Sequence, residues 1–216
     1  MNQLVRSTRF IDITDQAITM SKKKEILKTA TLLFATNGFK ETSMTEIAKE
    51  SGVASATIFY HFNTKDDLFL SVLSNVKDGI LEEFSHYFGE KNFASGLEML
   101  EGSVSFYLYL AGSRAEWFLL LHRYYPYKLA EENETCRRHL EDIYNCFVNI
   151  FEKALTQGQT DGSIRDLSPR KTALVIMSTV DGIVRFKNCN LYDAGALYNE
   201  LIACIRQMAA NQNQKQ

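Results

Sequence analysis

A chain of 216 residues, 45% of them hydrophobic, is long enough to bury one sizeable core or two smaller ones. Its 24 Lys/Arg and 26 Asp/Glu nearly cancel to a formal net charge of −2, which excludes a uniformly basic protein and confines any attraction to polyanions to a local patch. There is no run of 18 uncharged apolar residues to span a membrane, and two prolines among long apolar periodicities favour an all-α fold.

Residues 1–20 lack the continuous apolar stretch and small-residue cleavage site of a signal peptide and read as a flexible N-terminal arm. Lys22 to Asn37 carries Ile26, Leu27, Ala30, Leu33 and Phe34 at helical spacing and stops at Gly38. The cluster Lys22-Lys23-Lys24 opens this helix, where cations oppose the helix dipole. It is either a solvated helix start or a surface turned toward phosphates.

Thr42 to Asp67 is the most informative stretch. Ser43-x-x-Glu46 fits a capping box, in which the serine oxygen accepts the Glu46 N–H and the glutamate returns to the Ser43 N–H. Ile47 and Ala48 give that helix a small apolar face, and Gly52 stands where a helix end needs positive φ. Ser55 to Tyr60 forms a second short helix with Ile58 turned inward, and Thr64-x-x-Asp67 caps a third. Two short helices joined by a tight glycine turn have the layout of a helix-turn-helix, whose second helix enters the DNA major groove. A plain helical hairpin is the other reading.

The segments Ala35–Phe39, Thr42-Ser43 with Ile47-Ala48, Ser51-Gly52-Val53, and Thr57 to Phe62 followed by Lys65 and Leu68 resemble the DNA-binding domain of the TetR family of bacterial transcriptional regulators. The resemblance covers roughly the first third of the chain. It implies a ligand-responsive, sequence-specific DNA-binding regulator, most simply a repressor released from a palindromic operator in double-stranded DNA. It also implies backbone contacts from Thr42, Ser43, Thr45, Tyr60, His61 and Lys65. Ser55, Ala56 and Thr57 face base edges if Ile58 faces in. Ser43 could instead only cap, His61 pack in the core, and Lys65 stay an ordinary exposed lysine. The chain departs from the family at Ala54, where a capping serine is usual, and at Phe59, where a tyrosine hydroxyl is common. Residues 1–66 hold nine Lys/Arg against seven Asp/Glu, so the rest of the chain is net acidic, the right sign for DNA attraction at the N-terminal end. Arg6 and Arg9 on the arm are further candidates for DNA contact.

The expected division is an arm at 1–20, a three-helix helix-turn-helix domain at 21–67 and a larger helical ligand-binding and dimerisation domain at 68–216, with about nine helices in all. A long helix from Lys65 to about Phe88 links the last two domains and ends at Gly89. Helices are expected at Phe93–Ala111, at Glu116 to about Tyr125 with an interruption at Pro126, and at Glu134–Gln157. Pro169 then opens a helix to Asn188, and Asp193 to Ala210 forms the last.

Helices 169–188 and 193–210 carry apolar stripes. Ala173, Ile176, Met177, Val180, Ile183 and Val184 make one, and Leu197, Leu201, Cys204 or Ile205, and Met208 the other. They either complete the monomer core or face a twofold copy in a four-helix homodimer, and the resemblance favours the dimer. The domain is rich in rings. Phe88, Phe106, Tyr109, Trp117, Phe118, Phe147 and Phe151 are candidate walls for a small hydrophobic or aromatic effector, with Arg114, His122 and Arg185 as polar anchors.

Cys136, Cys146, Cys189 and Cys204 form no C-x-x-C pair and read as free thiols in a reducing, cytoplasmic setting. The four histidines are scattered, and no P-loop, H-E-x-x-H, G-x-S-x-G or glycine-rich dinucleotide loop occurs. No enzyme activity, cofactor or metal is therefore expected. The rival classes are an enzyme with an unmarked helical active site and a helical protein-interaction module.

Overall fold

The computed structural model describes the backbone of residues 4–211 and the side chains of residues 19–211. Among the described residues there are ten helices and one isolated β-bridge, Ile164 with Ala210. They are α1 (Leu4–Thr36), α2 (Met44–Glu50), α3 (Ser55–His61), α4 (Lys65–Glu90), α5 (Gly96–Ser113), α6 (Ala115–Leu121), α7 (Tyr124–Glu132), α8 (Glu134–Asp161), α9 (Pro169–Asn188) and α10 (Tyr198–Ala209). None is long and apolar enough to cross a membrane.

Several boundaries differ from the expected ones. Helix α1 begins at Leu4, so residues 4–20, expected as an arm, continue the helix; no proline or glycine interrupts them. The side chains of Arg6 and Arg9 lie outside the described residues. Helix α4 passes through Gly89 to Glu90. Pro126 does not end a helix but sits in the first turn of α7, where its missing N–H would have had no intrahelical acceptor anyway. That adds the tenth helix. Helix α10 starts at Tyr198 rather than Asp193, because the Asp193 carboxylate accepts the Gly195 N–H (2.9 Å) and folds residues 193–195 into a turn.

The chain divides into two compact units, up to Asn75 and from Val76 on, with the boundary inside α4. In the first, Ile26, Ala30, Phe34, Ile47, Ile58, Leu68 and Phe69 are buried, and the rings of Phe34, Phe39 and Phe69 pack mutually at 5.4–5.5 Å. In the second, α8 is the central helix and packs on α5, α7 and α9. Its core is the ring cluster of Tyr107, Phe118, Phe147 and Phe151, surrounded by Leu100, Val104, Ile143, Ile176 and Val180.

Candidate nucleic-acid interface and helical-domain cavities

The helix-turn-helix is built as its local chemistry dictates. Ser43 Oγ accepts the Glu46 N–H (3.1 Å) and Glu46 Oε2 accepts the Ser43 N–H (3.3 Å), so the capping box is complete. At the other end of α2, Gly52 takes φ 68°, and the Gly52 and Val53 N–H groups donate to the Lys49 and Ala48 carbonyls. These two bonds form a Schellman turn, which sets the direction of α3. Ala54 provides no side-chain cap for α3, and the Thr57 N–H bonds its carbonyl instead. Thr64 Oγ1 and the Asp67 carboxylate cap α4 reciprocally.

On α3, Ile58 is fully buried, which turns Ser55, Ala56, Phe59 and Tyr60 outward; Tyr60 is 78% exposed and Thr57 half-buried. Thr45 and Ser43 are exposed on α2 and at its cap. This is a polar, arginine-free surface that offers hydroxyls and a methyl to base edges.

Two predicted backbone contacts have other work. Thr42 is 1% exposed, and its hydroxyl donates to the Gly38 carbonyl (2.9 Å), with the Leu33 carbonyl also near (3.3 Å). It therefore ties the α1–α2 loop and does not face a phosphate. Lys65 Nζ donates to the Phe39 and Thr42 carbonyls (2.8 and 2.9 Å) and lies 4.3 Å from the centre of the Phe39 ring. Two of its three N–H donors hold that loop, which leaves one for an external anion. Lys65→Met should lower the stability of the N-terminal unit by about 2 kcal/mol, because two carbonyls lose a charged donor. Thermal unfolding checks this; an unchanged midpoint would deny the ammonium its structural role.

His61 ends α3 half-buried between Tyr60 and Phe62, and its Nε2 is buried without a hydrogen-bond partner. Its pKa is held below the ordinary value, first by burial and then by Lys23 and Lys22 on α1. Lys23 also lies 5.8 Å from the Phe62 ring centre. The lysine cluster thus stands beside the end of α3.

The expected effector walls are placed differently. Phe118, Phe147 and Phe151 are packed against one another in the core and line none of the cavities given by the described residues. Phe106 stacks on Tyr87 (4.2 Å), in a second ring cluster with Phe84, Phe88 and Phe93. Trp117 covers Gly79, where even a Cβ would come within 2.5 Å of the indole. Arg114 is bound to Glu83 (2.6 Å) over the Trp117 ring. Arg185 is exposed. His122 is a buried anchor: its Nε2 is 3.0 Å from Asp181 Oδ1 and its Nδ1 3.0 Å from Asn188 Nδ2. The fully buried Tyr107 hydroxyl donates to the same Asp181 oxygen (2.7 Å).

Of the open cavities among the described residues, two have tyrosines in their walls. One, of about 430 Å³, lies among α7, α8 and α9, with the paired Tyr127 and Tyr144 hydroxyls (2.5 Å) in its lining and Glu131, Glu141 and Arg137 also bordering it. The other, of about 410 Å³, lies between α5 and α9 and the segment leading into α10; of the predicted walls it holds only Tyr109.

Residues 26–72 match the family described as bacterial regulatory proteins, tetR family. The match spans α2, α3 and the capped start of α4, the elements that present the exposed face. The helix-turn-helix segment of the chain is therefore similar to the DNA-binding part of TetR-family proteins. It is 29% identical over 187 residues to the fatty acid metabolism regulator protein of Bacillus subtilis, covering 85% of this chain and 93% of that one. It is 26% identical over 177 residues to the regulator QacR of Staphylococcus aureus, covering 77% and 86%. Among solved structures, the Bacillus subtilis regulator FadR in complex with stearoyl-CoA superposes with a TM-score of 0.70 at 25% identity, over 86% of this chain and 98% of that one. The relatives it matches are named as regulators.

Among the residues of the C-terminal unit, sequence reasoning missed Asp181, Tyr107 and Asn188 as an interacting group. Their signal was weak: Asp181 is one acidic residue beside the apolar stripe of α9, and the Arg185 four residues on reads as its partner, which hides the contacts to Tyr107 and His122 on other helices.

Proposed function

We propose that the chain is a repressor that binds a palindromic operator as a homodimer, with α3 of each copy in the major groove, and is released by a small apolar effector in the cytoplasm. The observation that carries this reading is α3 itself: a short helix held from below by Ile58 and a capped turn, with Ser55, Ala56, Thr57 and Tyr60 left toward solvent. Two such helices roughly 34–36 Å apart would meet successive grooves on one face of the duplex.

Most of the two apolar stripes read from sequence complete the monomer core, while Leu197 and Cys204 stay exposed. Ala173, Ile176, Met177, Val180 and Val184 are buried within the monomer, as are Leu201 and Ile205. What faces outward on α9 is Leu174, Val175, Ser178, Thr179 and Phe186, with nothing near Gly182; on α10 it is Ala203, Cys204 and Gln207. A face of this kind, apolar with small residues at its centre, supports close packing of α9 against its twofold mate. Ligand would then favour a dimer with wrongly spaced α3 helices, with α4, which crosses the unit boundary, as the lever. An acyl effector is supported by the relative that regulates fatty acid metabolism and by the FadR complex with stearoyl-CoA.

Retention of operator DNA should fall linearly with salt on logarithmic axes. The His61 surroundings add a pH dependence. Because folding lowers the pKa of His61, the unfolded chain takes up its proton first, and stability declines as pH falls below about 6.5. A phosphate beside His61, Lys22 and Lys23 opposes that shift, so DNA should bind more tightly at pH 6 than at pH 8, and His61→Gln should flatten the difference. Anisotropy titrations at the two pH values check this; an equal pH response in the variant would remove His61 from the interface.

A further inference from the structure

We propose that the cavity between α5 and α9 is the effector site, and that it takes an apolar chain ending in an anionic head, a fatty carboxylate or an acyl thioester carrying phosphates. This rests on the reading of the chain as an effector-released regulator and names the site and the class of ligand.

Three observations carry it. The first is the polarity of the walls. Leu108, Tyr109, Val184 and Ala194 supply apolar surface, and the Ser105 and Tyr198 hydroxyls, 2.7 Å apart, supply neutral donors. Lys187 is the one charged residue among the described lining residues, and none of them is acidic. The cavity among α7, α8 and α9 is bordered by two glutamates and one arginine, the opposite preference. A cavity of about 410 Å³ is within the usual range for small-molecule sites.

The second is Gly112. It lies inside α5 without positive φ, and a Cβ added there would meet nothing within 4 Å. Glycine within a helix costs about 0.5–1 kcal/mol relative to alanine, and here neither backbone conformation nor packing requires it. What its absent side chain preserves is the volume of this cavity, whose wall it forms.

The third is the surface around the cavity. Tyr109 and Tyr198 of the lining are exposed large apolar residues, and Lys187 makes no ion pair among the described residues. An apolar tail would bury surface of this kind, and its head would give the ammonium a partner.

Isothermal calorimetry on the full chain tests this with sodium decanoate, decanoyl-CoA and decyltrimethylammonium, which share a tail and differ in head. At least one of the two anionic ligands is expected to bind, and the cation at least about tenfold more weakly. Tighter binding of decanoyl-CoA than of decanoate would identify the thioester as the source, and the reverse the free carboxylate. Lys187→Glu should weaken the anionic ligand about tenfold, and Lys187→Arg should restore it. Gly112→Leu should abolish binding without lowering the melting temperature, whereas Ala130→Leu in the other cavity should leave it intact.

The proposal fails if the cation binds equally well, if Gly112→Leu has no effect, or if Ala130→Leu abolishes binding. It also fails if Gly112→Leu converts dimer to monomer in sedimentation, since the mate would then fill the cavity. Failure of both anionic ligands to bind, with operator DNA still retained, overturns the site and leaves the regulator reading standing. Ligand binding without DNA retention does the reverse.

Discussion

Gly96→Ala should destabilise the C-terminal unit more than any other single-methyl change. Gly96 begins α5 directly against the backbone of α8: an added Cβ would collide with the Gly158 N and Cα and lie 2.7 Å from the Gln157 carbonyl carbon. These are main-chain atoms of a helix that is itself pinned, because Gly158 packs against Ile164 and its carbonyl accepts the Ile164 N–H. No rotamer change relieves such an overlap, so the helices must part. The joint is polar as well. The Gly96 N–H donates to Asp161 Oδ2 (2.7 Å), the Leu97 N–H to Ser163 Oγ (3.1 Å), and the Ser163 N–H to Asp161 Oδ1 (2.9 Å). Hydrogen bonds from Ser163 and then Gly96 hold the Asp161 carboxyl below its ordinary pKa. Separating α5 from α8 would break these bonds together. The expected loss is about 3 kcal/mol or more, a fall of about 10 °C in melting temperature. Gly102→Ala meets only the Phe93 and Tyr87 side chains and should cost less, and Gly112→Ala should cost nothing. A melting curve for Gly96→Ala matching that of Gly112→Ala would refute the close approach.

Asp181→Leu is expected to have the second largest effect. The carboxylate takes the Tyr107 hydroxyl, and the same oxygen lies 3.0 Å from the His122 ring nitrogen, which joins α5, the α6–α7 link and α9 at one point. Leucine supplies no acceptor. Tyr107 is fully buried, so its hydroxyl would be stranded with no water to replace the lost partner. Burial, and then the facing Asp181, already push the Tyr107 hydroxyl pKa well above its ordinary value, so it cannot escape by ionising at neutral pH. The cost should be about 3 kcal/mol, against about 1 kcal/mol for Asp181→Asn, which keeps one acceptor oxygen. A double-mutant cycle isolates the cause. Tyr107→Phe removes the stranded group, so in that background Asp181→Leu should lose about 1–2 kcal/mol less. Additive losses by chemical denaturation would mean that the two side chains do not depend on one another.

The helix-turn-helix part of the chain was legible because its signals are local. A serine three residues before a glutamate, a glycine at a helix end and a threonine three residues before an aspartate each specify a backbone hydrogen bond within four residues, and all three are present. Thr42 and Lys65 were legible as polar residues near a helix start, but not as partners in one loop, because that contact spans 23 residues of sequence.

The C-terminal unit was legible as helices and misread as surfaces. A stripe of apolar residues tells which face of α9 avoids water, not whether its own core or a second copy covers it. Here the stripe at Ile176 and Val180 is core, and the weaker one at Leu174, Val175 and Phe186 is exposed. The rings misled for the same reason. Phe118, Phe147 and Phe151 are large enough to frame a pocket but fit edge to face around Tyr107 and fill the space themselves. Pro126 was read as a break because sequence does not say whether a proline falls in a first turn or a middle one.

Selection of the full chain against a pool of random duplexes, for wild type and Thr57→Ala in parallel, most directly tests α3 as the base-reading helix. The wild type is expected to enrich a palindrome whose half-sites lie about one helical turn, or a multiple of it, apart, and Thr57→Ala to enrich the same spacing with a changed preference at one base pair of each half-site. Enrichment of no sequence by the wild type, or of an identical sequence by both proteins, would contradict the placement of α3 in the major groove.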